Sequence, residues 1–260
     1  MSYRLGVPER HPNSSGIKSG PGGSADLGSL GGQRETSPFC PQENTPVPAR
    51  LGYLTTSPNF SGPELQDFEV LSVLGQGSYG TVRQVRSRLD GKVYALKSAT
   101  ADGRSQEELE ILQLAGSLSC PFIVRYYHAY EEQGHRHLLL GYVDGQDLER
   151  CLQQCRPWAF KETSVRLVAA ELCLALQALH SLGIVHRDIK PGNVVLGTDG
   201  HVVLVDFNCA RQGSSEARKV YISPNSLQAP ETVQGHAQGT AVDWWALGVT
   251  VYELLLGYLP

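Results

Sequence analysis

At Phe68 the chain changes texture, and the order of textures on either side of that point limits what it can fold into. Before it, from Met1 to about Pro63, stretches such as SSGIKSGPGGSADLGSLGGQRETSPF are dominated by glycine, serine, proline and polar residues, with no sustained period of 2 or 3.6. Such a segment cannot bury enough apolar surface to offset its conformational entropy, so residues 1–63 are expected to form a disordered tail. Within it Ser37-Pro38, Thr45-Pro46 and Ser57-Pro58 have the form of proline-directed phosphorylation sites, or are ordinary linker sequence. From Phe68, FEVLSVLGQGSYGTVRQVRSRLDGKVYALKSA reads as three strands joined by glycine turns, with Asp90-Gly91 a hairpin signal. A short helix is expected to start at Ser105, whose hydroxyl would cap it, and IVRYYHAY and HRHLLLGYV supply two further strands. After Gly145 the apolar residues fall three and four apart, in SVRLVAAELCLALQALHSLG, which should stop at Gly183, and in a last helix, AVDWWALGVTVYELLLG. Strands followed by helices predict an α+β chain, with a small antiparallel β lobe carrying one helix and then a larger, mainly helical lobe.

Of the 260 residues, 41% are hydrophobic, enough for a sizeable core. A net charge of -4 supplies no basic field to draw the molecule onto nucleic acid or an anionic membrane. Cys40, Cys120, Cys151, Cys155, Cys173 and Cys209 form neither a CxxC nor a paired framework, which fits reduced thiols in a cytoplasmic or nuclear compartment. The start, MSYRLGVPERHP, lacks an apolar signal core, and no run approaches the roughly 20 apolar residues of a membrane span.

Residues Gly75 to Val82 read GQGSYGTV, in which three glycines would let the backbone approach phosphate oxygens. A strand turn needing positive φ explains Gly75 and Gly77 equally well. The placement between two strands points away from a dinucleotide-binding fingerprint, which sits between strand and helix. Farther on, VYALK places Lys97 on an otherwise apolar strand, where a buried ammonium needs anionic company unless it snorkels from an edge. QEELEIL offers Glu107, Glu108 and Glu110 within one helical turn as that company.

The segment HRDIKPGN, His186 to Asn193, resembles H-R-D-x-K-x-x-N of serine/threonine protein kinases residue for residue. With Lys97 before it, and Asp206 in VVLVDFN and Ala229-Pro230-Glu231 after it, the chain resembles that family from about Phe68 to Pro260. DWWALGVTVYELLLGYLP and LLLGYV look most like the AGC group. The resemblance implies a two-lobed kinase domain over 64–260, with an N-lobe of about 68–143 and a C-lobe of about 144–260. It implies ATP and Mg2+ as cofactors, a protein hydroxyl as acceptor, and an upstream kinase acting on the activation segment. By the same analogy Gly75, Gln76, Gly77, Ser78, Tyr79 and Gly80 would cover the phosphates, which Lys97 would grip. Glu108 is the preferred partner of Lys97 because it stands three residues before Ile111, although it could instead complete a capping box with Ser105, leaving the pair to Glu107 or absent. Val82, Ala95 and Val195 would sandwich adenine, Leu140 would be the gatekeeper, Tyr142 and Val143 the hinge, and Asp147 would reach the ribose. Asp188 would accept or orient the substrate hydroxyl's proton, Lys190 would balance charge on the phosphoryl group, and Asn193 and Asp206 would hold magnesium. Phe207 would pack behind Asp206, Asp243 would brace the catalytic loop or cap its own helix, and Trp244 and Trp245 would be core.

The pattern departs from the family in three places. Asn208 replaces the glycine after Asp206-Phe207, where a residue tolerant of positive φ is expected to preserve the turn. Pro224 stands where a threonine normally contacts the catalytic aspartate and lysine. Val220 takes the usual phosphorylated threonine position, leaving Ser214, Ser215, Tyr221 and Ser223 as candidates for a phosphate that Arg187 and Arg211 would clamp. The chain stops at Pro260, before the helices that close the family's large lobe, so the expectation is a fragment, an isoform or an incomplete lobe. Three readings stay open: an active serine/threonine kinase, which is favoured, an ATP-binding pseudokinase that acts as a scaffold, and an inactive truncated product.

Overall fold

The computed structural model describes residues 64–77, 80–155, 159–213, 228–236 and 238–260. The expected tail, Ser78, Tyr79 and the segment 214–227, which contains Val220, Pro224 and the candidate phosphosites, lie outside the described residues.

The first lobe grows from three consecutive strands, β1 (Phe68–Gly77), β2 (Gly80–Ser87) and β3 (Val93–Thr100), each antiparallel to the next. The β2–β3 turn closes on Ser87, whose Oγ accepts from the amides of Leu89 and Asp90. After β3 comes helix α1 (Gly103–Ala115), then β4 (Tyr126–Glu132) and β5 (His135–Gly141), which complete a sheet of order β1-β2-β3-β5-β4. The start of α1 corrects the expectation at Ser105. Asp102 is the N-cap, its carboxylate accepting from the amides of Arg104 and Ser105, while the Ser105 hydroxyl returns a bond to the Asp102 backbone. Both residues are good caps, and the one three positions earlier wins because Ser105 then closes the reciprocal box. Glu108 is therefore outside any cap.

Alternation along the strands gives the sheet two apolar faces. Phe68, Val85, Tyr94, Leu96 and Leu139 form one small cluster. Leu138 and Leu140 turn the other way, against Ile111, Leu112 and Ala115 of α1, and join the main core.

The second lobe opens with β6 (Gly145–Asp147), α2 (Leu148–Gln154) and α3 (Glu162–Ser181). On α3 the buried stripe Val165, Val168, Leu172, Ala175, Leu176 and Leu179 keeps the three-and-four spacing of one helical face. Each fully buried leucine there contributes on the order of 2 kcal/mol. The helix ends where Gly183, at φ 69, takes the left-handed conformation that stops it. Then follow β7 (Ile184–Val185), β8 (Val194–Gly197), β9 (Val202–Leu204), β10 (Arg211–Gln212), α4 (Pro230–Val233) and α5 (Ala241–Leu256). β6, β8 and β9 make one small sheet and β7 pairs with β10. The loop from β7 to β8 carries HRDIKPGN, packed against α5.

Helix α5 corrects the assignment of its tryptophans to the core. Val242, Asp243, Leu247, Thr250 and Leu254 are its buried face, and that phase turns Trp244 and Trp245 outward, 38% and 47% exposed. Trp244 rests edge-on against His180. Among the described residues no helix is long and apolar enough to cross a membrane.

Candidate functional site

Three charged side chains from three separate elements meet where the lobes face each other. Lys97 on β3 is buried, and its Nζ donates to Oε1 of Glu108 on α1 at 2.7 Å and to Oδ1 of Asp206, just after β9, at 2.9 Å. Glu108 is the residue that α1 turns inward because Ile111, Leu112 and Ala115 share its buried face. Glu110 instead accepts from Gln106 on the surface, and Glu107 pairs with Arg211. Burial pulls the Lys97 pKa down, but Asp206 and Glu108 outweigh it and hold the ammonium above its ordinary value. Burial pushes Asp206 up, and Lys97 outweighs that too, so this carboxyl titrates below its usual range. For Glu108 the order reverses: burial pushes it up by more than Lys97 pulls it down.

A second cluster lies in the β7–β8 loop. Lys190 Nζ donates to Asp188 Oδ2 at 2.7 Å, and Asn193 Nδ2 donates to the same oxygen and to the Asp188 carbonyl, each at 2.8 Å. The loop is held from below by Asp243 of α5, which is fully buried and accepts from the amides of His186 at 2.9 Å and Arg187 at 2.7 Å. His180 Nε2 lies 2.8 Å from the same carboxylate. Thr240 is the N-cap of α5, so Asp243 braces the loop and does not cap the helix. His186 is also fully buried. Its Nδ1 takes the Asp188 amide at 3.4 Å, its Nε2 lies 3.3 Å from the Val205 carbonyl, and its ring meets Phe207 edge-on. Burial depresses its pKa, so it is the neutral ring, accepting at one nitrogen and donating at the other, that holds the two halves of the site together.

Between the lobes runs a cleft of about 360 Å³, a size that suits a small-molecule ligand. Its lining brings together Gly75, Gln76, Gly77, Gly80, Val82, Ala95, Lys97 and Leu140 from the sheet, Tyr142 and Val143 from the link between the lobes, and Asp147, Asn193, Val195 and Asp206 from the other lobe. Apolar Val82, Ala95, Leu140 and Val195 thus share one cavity with the charged triad. Asp147 also caps α2, accepting from the Arg150 amide at 2.8 Å. Gly75 and Gly77 lie within β1 and are not left-handed, which corrects the turn explanation for them. Of the three glycines of GQGSYG, Gly80 has a steric reason: a Cβ there would stand 2.2 Å from the Ser98 carbonyl oxygen.

The turn after β9 also differs from expectation. Among the described residues the left-handed non-glycine positions are Gln133, Arg187 and Asp206, the last at φ 60. Asn208 is not one of them, so the missing glycine is accommodated without positive φ at that position. The Asn208 side chain instead donates to Asp206 Oδ1 at 2.6 Å, a contact that the reading of its backbone tolerance did not anticipate. Sequence reasoning likewise missed the Glu107–Arg211 pair at 3.0 Å, for which no local spacing gives a signal.

The chain matches the family described as protein kinase domain over residues 68–260. It is 39% identical over 204 residues to the putative ribosomal protein S6 kinase alpha-1 of Caenorhabditis elegans, a stretch covering 75% of this chain and 26% of that protein. Against ribosomal protein S6 kinase alpha-2 of Homo sapiens the identity is 37% over 213 residues, covering 77% and 28%. Against cAMP-dependent protein kinase type 3 of Saccharomyces cerevisiae it is 34% over 218 residues, covering 81% and 52%. The chain spans from about a quarter to about half of the length of these relatives.

Proposed function

This chain belongs to the protein kinase family, and from that premise we propose that it transfers the γ-phosphoryl group of ATP to serine or threonine hydroxyls of a protein substrate. The observation that carries this reading is the buried Lys97 held between Glu108 and Asp206 in the wall of a cleft that Asn193 also lines. An ammonium fixed by two carboxylates presents a pre-oriented charge to phosphate oxygens, and needs no reorganisation when they arrive. The donor set suits magnesium. Asn193 commits its Nδ2 to Asp188, which leaves the amide oxygen as a hard donor, and Asp206 supplies a carboxylate. When bound there, the ion would neutralise charge on the phosphates.

Asp188 is oriented by the bonds from Lys190 and Asn193, and is the group placed to take or align the proton of the acceptor hydroxyl. Lys190, on the same oxygen, puts a positive charge beside the path of the transferring group. Positioning and charge neutralisation supply most of the catalysis in such a transfer. The lysine of HRDIKP is what favours a serine or threonine acceptor over tyrosine, and the relatives' names agree with a kinase.

The test is phosphoryl transfer from labelled ATP and magnesium to generic serine and threonine substrates, with Asp188→Ala and Asp206→Ala alongside. Incorporation that vanishes in both variants is the expected result. One contact favours a binding-only protein: Asn208 occupies Asp206 Oδ1 together with Lys97, which competes with a metal for that oxygen. A folded chain that binds ATP with magnesium but transfers nothing, and gains transfer on Asn208→Gly, would establish that second reading.

A further inference from the structure

Two neighbouring carboxylates on α1 hold the two ends of one short segment. Glu108 takes Lys97 and through it Asp206, whereas Glu107 takes Arg211, with Nη2 3.0 Å from Oε2. Nη1 of the same guanidinium donates to the carbonyls of Asn208 at 3.3 Å and Ala210 at 2.6 Å, so Arg211 closes the turn that begins at Asp206 while it grips the helix. The backbone of Arg211 is itself fixed, since it pairs in β10 with Val185 of β7, the residue before His186. Glu107 therefore connects α1 to β10 and, through the β10–β7 pairing, to the strand that leads into the β7–β8 loop.

Electrostatics give this contact a reason. Burial lowers the Arg187 pKa first, and the positive charge of Arg211 lowers it further. The Arg211 guanidinium is suited to an anion, and a phosphate on the activation segment would be one. Here a carboxylate of the chain itself already bonds Arg211.

We infer, building on the kinase reading above, that Glu107 is a positioning residue whose carboxylate takes on Arg211 the place of an activation-segment phosphate, so that α1 is held in register with Lys97 without phosphorylation. Glu107 does not touch the reacting atoms; it acts through the helix that carries Glu108. Because both partners are 30–40% exposed, the pair is worth a modest factor and weakens with salt.

The experiment compares Glu107→Arg, Arg211→Glu and the double exchange in the full 260-residue chain. Amide hydrogen exchange across 103–115 and the affinity for a fluorescent ATP analogue with magnesium are the two readouts. Each single variant should speed exchange in α1 and weaken nucleotide binding by about two- to fivefold at low salt, and the double exchange should restore both to within about twofold. Single variants with unchanged α1 exchange, or a double variant as defective as the worse single, would overturn the inference. Should every form, including the parent, fail to bind nucleotide, the kinase reading falls and α1 exchange alone decides the strut.

Discussion

Lys97 stands between two carboxylates in unequal surroundings: the Glu108 side chain is 2% exposed and that of Asp206 is 35% exposed. Removing the ammonium therefore damages the fold mainly through Glu108. Lys97→Met should destabilise the chain by about 3–5 kcal/mol at neutral pH, because a buried carboxylate loses its counter-charge. The loss has a definite pH dependence. Burial already raises the Glu108 pKa, and without Lys97 nothing on Nζ opposes that rise. A carboxyl whose folded pKa lies above its unfolded value gains stability as pH falls through the folded value. Urea midpoints of parent and variant should thus converge as the pH is lowered from neutrality, where Glu108 takes up a proton in the folded variant. A gap that stays constant would mean that Lys97 does not neutralise Glu108. The choice of Glu108 among three carboxylates was legible only as a preference, since 107, 108 and 110 share a turn and the cap that sets the helix phase lies outside that turn, at Asp102. Asp188, Lys190 and Asn193, by contrast, were readable as one constellation because they lie on one short loop, where order in the chain is order in space.

At the scale of elements, two carboxylates fasten helices to loops. Asp243 receives two backbone amides of the β7–β8 loop while fully buried, so Asp243→Asn, which keeps the shape and removes the charge, should cost about 2–4 kcal/mol. Amide exchange of His186 and Arg187 should accelerate beyond the global effect. If those amides stay as protected as their neighbours, the brace is not what orders the loop. On α3, Glu171 binds His201 Nδ1 at 2.7 Å and the Val202 amide at 2.8 Å, tying the helix to the β8–β9 turn. That hydrogen bond raises the His201 pKa. The stability it adds is complete below the ordinary histidine value of about 6.5 and is lost as pH rises through the raised folded value. With His201 a third exposed the contribution is at most about 1 kcal/mol. Denaturation midpoints should therefore fall slightly above neutrality in the parent, and Glu171→Gln should flatten that slope; an unchanged slope would assign it elsewhere. The tie was not legible because Glu171 and His201 lie 30 residues apart with no shared pattern, and the outward turn of Trp244 was hidden for a separate reason. α5 is apolar on nearly every side, so hydrophobic pattern alone cannot set which residues face the core, and contacts between distant elements do that instead.

On the scale of the whole molecule, the order of textures along the chain was enough to anticipate a sheet lobe followed by a helical lobe. The sheet order β1-β2-β3-β5-β4 follows from short connections between neighbouring strands, with α1 filling the one longer link. What the linear order hides is the junction. The Glu107–Arg211 contact depends on the β7–β10 register, and no local pattern links residues so far apart. Because the cleft takes Val82 and Leu140 from one lobe and Asn193, Val195 and Asp206 from the other, a ligand that fills it holds both lobes together. ATP at one hundred times its dissociation constant should add about 2.7 kcal/mol, which in a domain of this size raises the melting temperature by roughly 5 to 10 °C. The shift should need magnesium, since Asn193 and Asp206 offer oxygen donors that hold triphosphate well only with a cation between them. Asp206→Ala should keep the fold, retain the Lys97–Glu108 pair, and lose the magnesium-dependent part of the shift. A shift of equal size in Asp206→Ala would place the nucleotide outside this cleft, because no ligand bridging Lys97 and Asn193 could be indifferent to the carboxylate between them.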